Sequence, residues 1–117
     1  MPSPDQHIPL RSVEFHILLS VVDRPRHGYA ILQEAEERTA GKPGFEIPTL
    51  YRALRRLRDE GIIRIAAAPD PESDERREYW EATPFGRRVL DAELARLEHA
   101  VTLGRARMKQ ATAGGRK

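Results

Sequence analysis

The chain has 117 residues, of which 32% are charged and 39% hydrophobic, with a formal net charge of +2 and no cysteine. This length fits one domain, and the missing cysteines exclude disulfides, thiolate chemistry and Cys-ligated zinc. Leu, Ile, Val and Phe supply 26 of the 117 residues, a slim core of the kind often completed by burial against a partner.

Residues 1–9 contain Pro2, Pro4 and Pro9 and read as a disordered lead-in. They lack the basic-then-apolar pattern of a secretion signal, and no apolar stretch approaches the ~20 residues of a membrane span. A soluble protein of the cytoplasm, with no membrane partner, is expected.

From Leu10 to Val22 the apolar residues Leu10, Val13, Ile17, Leu18 and Val21 recur at helical spacing. Pro25 closes this first helix, because a proline disfavours the helical conformation in the residue before it. His27-Gly28-Tyr29 opens a second helix that runs to about Ala40, with Ile31, Leu32 and Ala35 inward and Glu34 and Arg38 paired on the wet side. Gly41, Pro43 and Gly44 end it.

A third helix carries Pro48 in its first turn, where a missing N–H costs nothing. At helical periodicity Leu50, Tyr51, Ala53, Leu54 and Leu57 share one arc, and Arg52, Arg55, Arg56 and Asp59 the opposite one. Gly61 ends this helix. Ile62–Ala67 and Arg77–Ala82 then alternate in polarity around a polar tip at 69–75, which predicts a β-hairpin with a mobile tip. The tip is acidic: residues 69–78 hold five acids against Arg76 and Arg77.

Thr83-Pro84 is a helix start with a Thr cap and Pro in the first turn. Beyond it Leu90, Leu94, Leu97, Val101, Gly104 and Met108 alternate at spacings of four and three, the mark of a helix–helix seam. Such a seam outruns what a small three-helix core needs to cover. Leu90, Leu94, Leu97, Val101 and Met108 are therefore the expected dimerisation residues. Residues 84–110 are expected to form that helix and 111–117 a disordered tail.

Helix, helix, helix, hairpin, long helix is the order of a winged helix-turn-helix, here residues 10–83. The fold class expected is mainly α with a small β-hairpin. In that arrangement the third helix enters a major groove and the hairpin is the wing. Guanidinium groups at Arg52, Arg55 and Arg56 could bridge phosphates or bind guanine O6 and N7 in bidentate fashion. Thr49, near the helix N-terminus, could reach a phosphate or a thymine methyl. Two such heads in a dimer suit a two-fold symmetric operator on double-stranded DNA. An alternative is a winged helix that docks its arginines on an acidic protein.

Catalysis finds little support. His7, His16, His27 and His99 lie on separate elements without metal-ligand spacing, and neither a Gly-rich phosphate loop nor a GxSxG elbow is present. No enzyme activity, metal or cofactor is expected. Trp80 reads as core before it reads as a stacking platform for a small effector in a gap between subunits.

The segments His27-Gly28-Tyr29-Ala30-Ile31, Thr49 to Leu57 and Asp59-Glu60-Gly61-Ile62-Ile63 resemble the PadR family of transcriptional regulators. So do Asp74 to Trp80 and Thr83-Pro84-Phe85-Gly86-Arg87-Arg88. The likeness runs from about Leu10 to Leu103 and is similar to the short form of that family. It implies a winged-helix dimer that represses transcription and often releases DNA when a small ligand binds. It also implies DNA contacts at His27, Tyr29, Thr49, Tyr51, Arg52, Arg55, Arg56, Arg76 and Arg77. The chain departs from the family pattern at Pro48, where many members have Gly, and at Trp80 and Ala82 in the wing.

Overall fold

A computed structural model describes residues 2–41 and 44–114. Helix α1 spans Ser12–Val21, α2 Gly28–Thr39, α3 Ile47–Asp59 and α4 Pro84–Ala113; strands β1, β2 and β3 are Arg26–His27, Ile63–Ala66 and Tyr79–Ala82. The three strands form one antiparallel sheet in the order β1-β3-β2. In register, Ile65 and Arg26 flank Trp80 on either side. This is a winged helix with a long C-terminal helix, as the sequence pattern predicts.

The sheet has one strand more than predicted. Arg26-His27 pairs with β3 before α2 begins, so the outer edge of β3 is covered rather than open. Two residues are too few to show alternation.

The core is the joint product of the apolar stripes. Ile17, Leu18 and Val21 of α1, Ile31 of α2, Leu50, Leu54 and Leu57 of α3, Trp80 of β3 and Val89 of α4 are all buried together. Most stabilisation comes from this burial, roughly 1.5–3 kcal/mol for each large apolar side chain removed from water.

One threonine ties the parts together. The Thr83 side chain accepts from the backbone N–H of Gly86 at 2.9 Å, capping α4, and its hydroxyl lies 2.6 Å from the carbonyl oxygen of Gly61. The same residue thus starts α4 and fixes the turn that follows α3. Gly86 lies against the backbone of Ile62 so closely that a Cβ would overlap the Ile62 carbonyl oxygen.

The disordered lead-in expected for residues 1–9 is corrected for residues 2–9; Met1 lies outside the described residues. Pro4–His7 form a 3-10 turn capped by Ser3, with a reciprocal Gln6 contact. His7 packs edge-on against Phe85 at 5.3 Å, and its Nδ1 lies 3.1 Å from Glu60 Oε2. Behind it, buried Glu93 of α4 accepts from the backbone N–H of Leu10 at 3.1 Å and from Arg96 Nε at 2.6 Å. These bonds, the Arg96 bond foremost, hold the Glu93 carboxyl below its ordinary range. Pro4, which looks like a breaker, is here the first residue of a short helix.

The expected tail at 111–117 is helical to Ala113; residues 115–117 lie outside the described residues. Leu90 is also corrected: it is 5% exposed and belongs to the chain's own core, so it is not available to a partner. Beyond it Leu94, Val101 and Met108 are exposed and Leu97 half-buried.

Replacing Gly86 by Ala should cost about 2–3 kcal/mol through this overlap. A thermal melt of G86A unchanged from the parent would show that α4 does not abut Ile62 as described.

Candidate nucleic-acid interface

Helix α3 forms because its apolar residues repeat at helical spacing and Pro48 sits in its first turn. Leu50, Ala53, Leu54 and Leu57 are at most 2% exposed and fix the rotation of the helix against the core. What remains outside is determined by that rotation. Arg52 and Arg55 project into solvent, and Arg52 Nη2 donates to Thr49 Oγ1 at 3.3 Å.

Two residues on the flanks differ from the expectation. Arg56 was expected in the exposed row; instead its Nε donates to Glu14 Oε2 of α1 at 2.8 Å. Glu14 is buried, and its other oxygen accepts from the Arg11 backbone N–H at 2.9 Å. A buried carboxylate needs a cation, and Arg56 is the one in reach, so this residue locks α3 to α1. Tyr51 was expected on the inward arc; it is 40% exposed. It leans toward α2, where a Cβ on Gly28 would stand 2.6 Å from its hydroxyl oxygen. The glycine of His27-Gly28-Tyr29 is therefore a close-approach residue, letting the starts of α2 and α3 meet.

The second cluster centres on His27. Its Nδ1 accepts from the Ala30 backbone N–H at 3.1 Å and caps α2. Its ring meets Tyr79 edge-on at 5.5 Å. Arg77 lies close by, with Nη1 3.0 Å from His27 Nδ1 and its guanidinium carbon 6.0 Å from the centre of the Tyr29 ring. Burial first, and the Arg77 charge second, hold the His27 pKa below 6.5, against an opposing pull from Asp74. His27, Tyr29, Tyr51 and Arg77 line one open hollow of about 240 Å³. The structure thus joins four of the predicted residues, from β1, α2, α3 and the loop before β3.

The wing arginines are not idle. Asp74 Oδ1 accepts from Arg76 Nε at 3.2 Å, and Asp74 Oδ2 lies 3.7 Å from Arg77 Nε. Asp70 lies 3.7 Å from Arg24. Two acids of the tip, Asp70 and Asp74, thus pair with nearby arginines, and the Arg76 bonds hold Asp74 below the usual carboxylate range. Trp80 is 3% exposed and belongs to the core. Sequence reasoning missed Ile47, which is 59% exposed at the first position of α3. An isoleucine directly before the first-turn proline was the available signal.

The chain matches the model of the Transcriptional regulator PadR-like family over residues 17–92. It belongs to the PadR-like family of transcriptional regulators. Within this PadR-like fold, a structure of a PadR family transcription regulator from Clostridium difficile superposes with a TM-score of 0.72 at 19% identity, covering 84% of this chain and 99% of that one. Bacillus subtilis PadR in complex with operator DNA gives a TM-score of 0.60 at 23% identity, over 72% of this chain and 47% of that one. An uncharacterized protein of Lysinibacillus sphaericus is 31% identical over 74 residues, 63% of this chain and 67% of that one. No described helix is long and apolar enough to cross a membrane.

Arg56→Ala should destabilise the fold by about 2 kcal/mol, since it leaves Glu14 buried without its cation, whereas Arg52→Ala should leave the melt within about 0.5 kcal/mol. Equal losses in chemical denaturation would contradict the division of roles. A second expectation concerns pH. The unfolded His27 titrates near 6.5 and the folded one lower. Unfolding therefore takes up a proton, and stability falls as pH drops below about 6.5 through the folded value. His16, lowered by burial and then by Arg38, acts in the same direction. His27→Asn keeps a cap without the titration, so its stability should decline less steeply between pH 7.5 and 5. A slope identical to the parent's would remove His27 from the account.

Proposed function

We propose that this PadR-like regulator is a homodimeric repressor that binds a palindromic DNA operator through α3 and the wing. The single observation that carries the reading is the rotation of α3. Its four apolar residues are sealed in the core and Arg56 is spent on Glu14, while Arg52 and Arg55 are exposed and form no ion pair among the described residues. Free guanidinium groups on the outer face of the third helix are placed to meet phosphates and guanine edges. Thr49, Tyr51, Tyr29 and His27 adjoin that face, and Arg76 and Arg77 extend it along the wing.

Dimerisation is supported by α4. It runs 30 residues, and Leu94, Leu97, Val101 and Met108 continue a seam past the point where the chain's own core ends. A pair of such helices would bury that stripe and carry two reading heads on a two-fold axis. Half-sites about one helical turn apart follow from that geometry. Release by a small effector belongs to the same reading. An effector that weakens DNA binding must itself be weakened by DNA to the same degree.

Affinity for DNA selected in vitro should fall steeply with salt. Arg52→Ala and Arg55→Ala should each cost about 1–3 kcal/mol of binding. Asp74→Asn should do the reverse and tighten binding several-fold, because it removes a negative charge and releases Arg76 and Arg77. Gel shifts on the selected duplex measure all three. Absence of retardation at low salt, or retardation with no preferred sequence, would overturn the reading, and the latter with an acidic protein partner would favour the adaptor alternative.

A further inference from the structure

Exposed apolar side chains are unevenly placed. Among the described residues, large hydrophobic side chains are exposed at Leu94, Val101, Leu103 and Met108 of α4, at Ile65 of β2, and at Tyr29, Ile47 and Tyr51. The last three sit together. With Gly28, Leu32 and Leu50 they line an open hollow of about 250 Å³ between the starts of α2 and α3. Ile47 is 59% exposed and Tyr29 50%, so burial in the chain's own core does not account for them.

Both arginines and acids border the hollow: Glu46 directly precedes Ile47, and Glu78 lines the adjoining hollow with Tyr29, Tyr51 and Arg77. Ile47, Tyr51 and Arg55 follow one another at four-residue spacing, which makes them one ridge along α3. Arg77 lies over Tyr29 at 6.0 Å on the other side. An apolar floor with guanidinium groups within reach of its rim fits one feature of the major groove. Phosphates flank that groove, and the thymine 5-methyl group is the apolar patch that base edges present in it. The first residues of a recognition helix are also those that reach base edges.

We infer that this hollow reads a thymine through its 5-methyl group, and that Ile47 is the specificity-determining side chain. The inference rests on the DNA-binding reading and names what the start of α3 recognises. Ile47 supplies the wall against which the methyl packs, and Tyr51 and Tyr29 complete the apolar surround. The arginines hold the backbone in register and do not themselves distinguish thymine from uracil.

Deoxyuridine differs from thymidine only by that methyl group, which makes the test direct. Full-length protein is titrated against a duplex obtained by in vitro selection, with each thymine of a half-site replaced in turn by deoxyuridine. For the parent, one position per half-site should lose about fourfold in affinity, the worth of one buried methyl. Ile47→Ala should bind the thymine duplex correspondingly less well and lose the distinction at that position. Circular dichroism should show an intact fold, since the side chain is outside the core. Uniform tolerance of deoxyuridine, or an undiminished preference in I47A, would overturn the inference while leaving DNA binding in place. Failure of every duplex to bind would instead overturn the DNA-binding reading, and this one with it. A shift in self-association of I47A by sedimentation would show that the hollow is an interface between copies, and would also overturn it.

Discussion

The rotation of α3 about its own axis is the constraint on which the rest of the molecule depends. Leu50, Ala53, Leu54 and Leu57 are closed into the core, and close-packed interiors do not permit a helix to roll. Two contacts at the edges hold the same setting. On one side Arg56 is tied to Glu14, and on the other Tyr51 approaches the backbone of Gly28. With both flanks fixed, the side chains left facing water are determined. Among them are Arg52, Arg55 and, at the helix start, Ile47.

Helix α4 translates that local constraint into the shape of the whole. Thr83 joins its first turn to the backbone after α3, and Gly86 lies against Ile62. The orientation of the long helix is therefore coupled to that of α3 through a few backbone contacts. In the proposed dimer, a change in the crossing of two α4 helices would alter the distance between two α3 helices. Coupling of this kind is what an effector would need to act upon. The N-terminal turn strengthens it, because His7 packs on Phe85 and the Leu10 backbone N–H donates to Glu93, both residues of α4.

The apolar arc of α3 and the N-cap of α4 were legible in the sequence because each depends on one element alone. Spacing places Leu50, Leu54 and Leu57 inward whatever surrounds them, and Thr83-Pro84 is a start signal without tertiary help. The flanks of α3 were not legible in this way. Arg56 and Tyr51 lie at the border between buried and exposed, where the neighbour decides, and no periodicity reports that α1 offers a carboxylate or that α2 offers a glycine. The same reason applies to β1 and to residues 2–9. Two residues make a strand only because β3 presents an open edge, and a proline-rich start is ordered only because Phe85 and Glu60 receive His7. Leu90 fits the helical seam by spacing, but the core of the same chain reaches it first.

Protection of guanine N7 atoms from dimethyl sulfate tests the central claim most directly, since that atom lies in the major groove, where the proposed reading puts α3. On a selected operator the account predicts two clusters of protected guanines, related by a two-fold axis and about one helical turn apart. Protection should vanish in Arg52→Ala combined with Arg55→Ala and persist in Arg56→Ala under conditions where that variant is folded. Unprotected guanines throughout the bound site, or protection that depends on Arg56 alone, would contradict it.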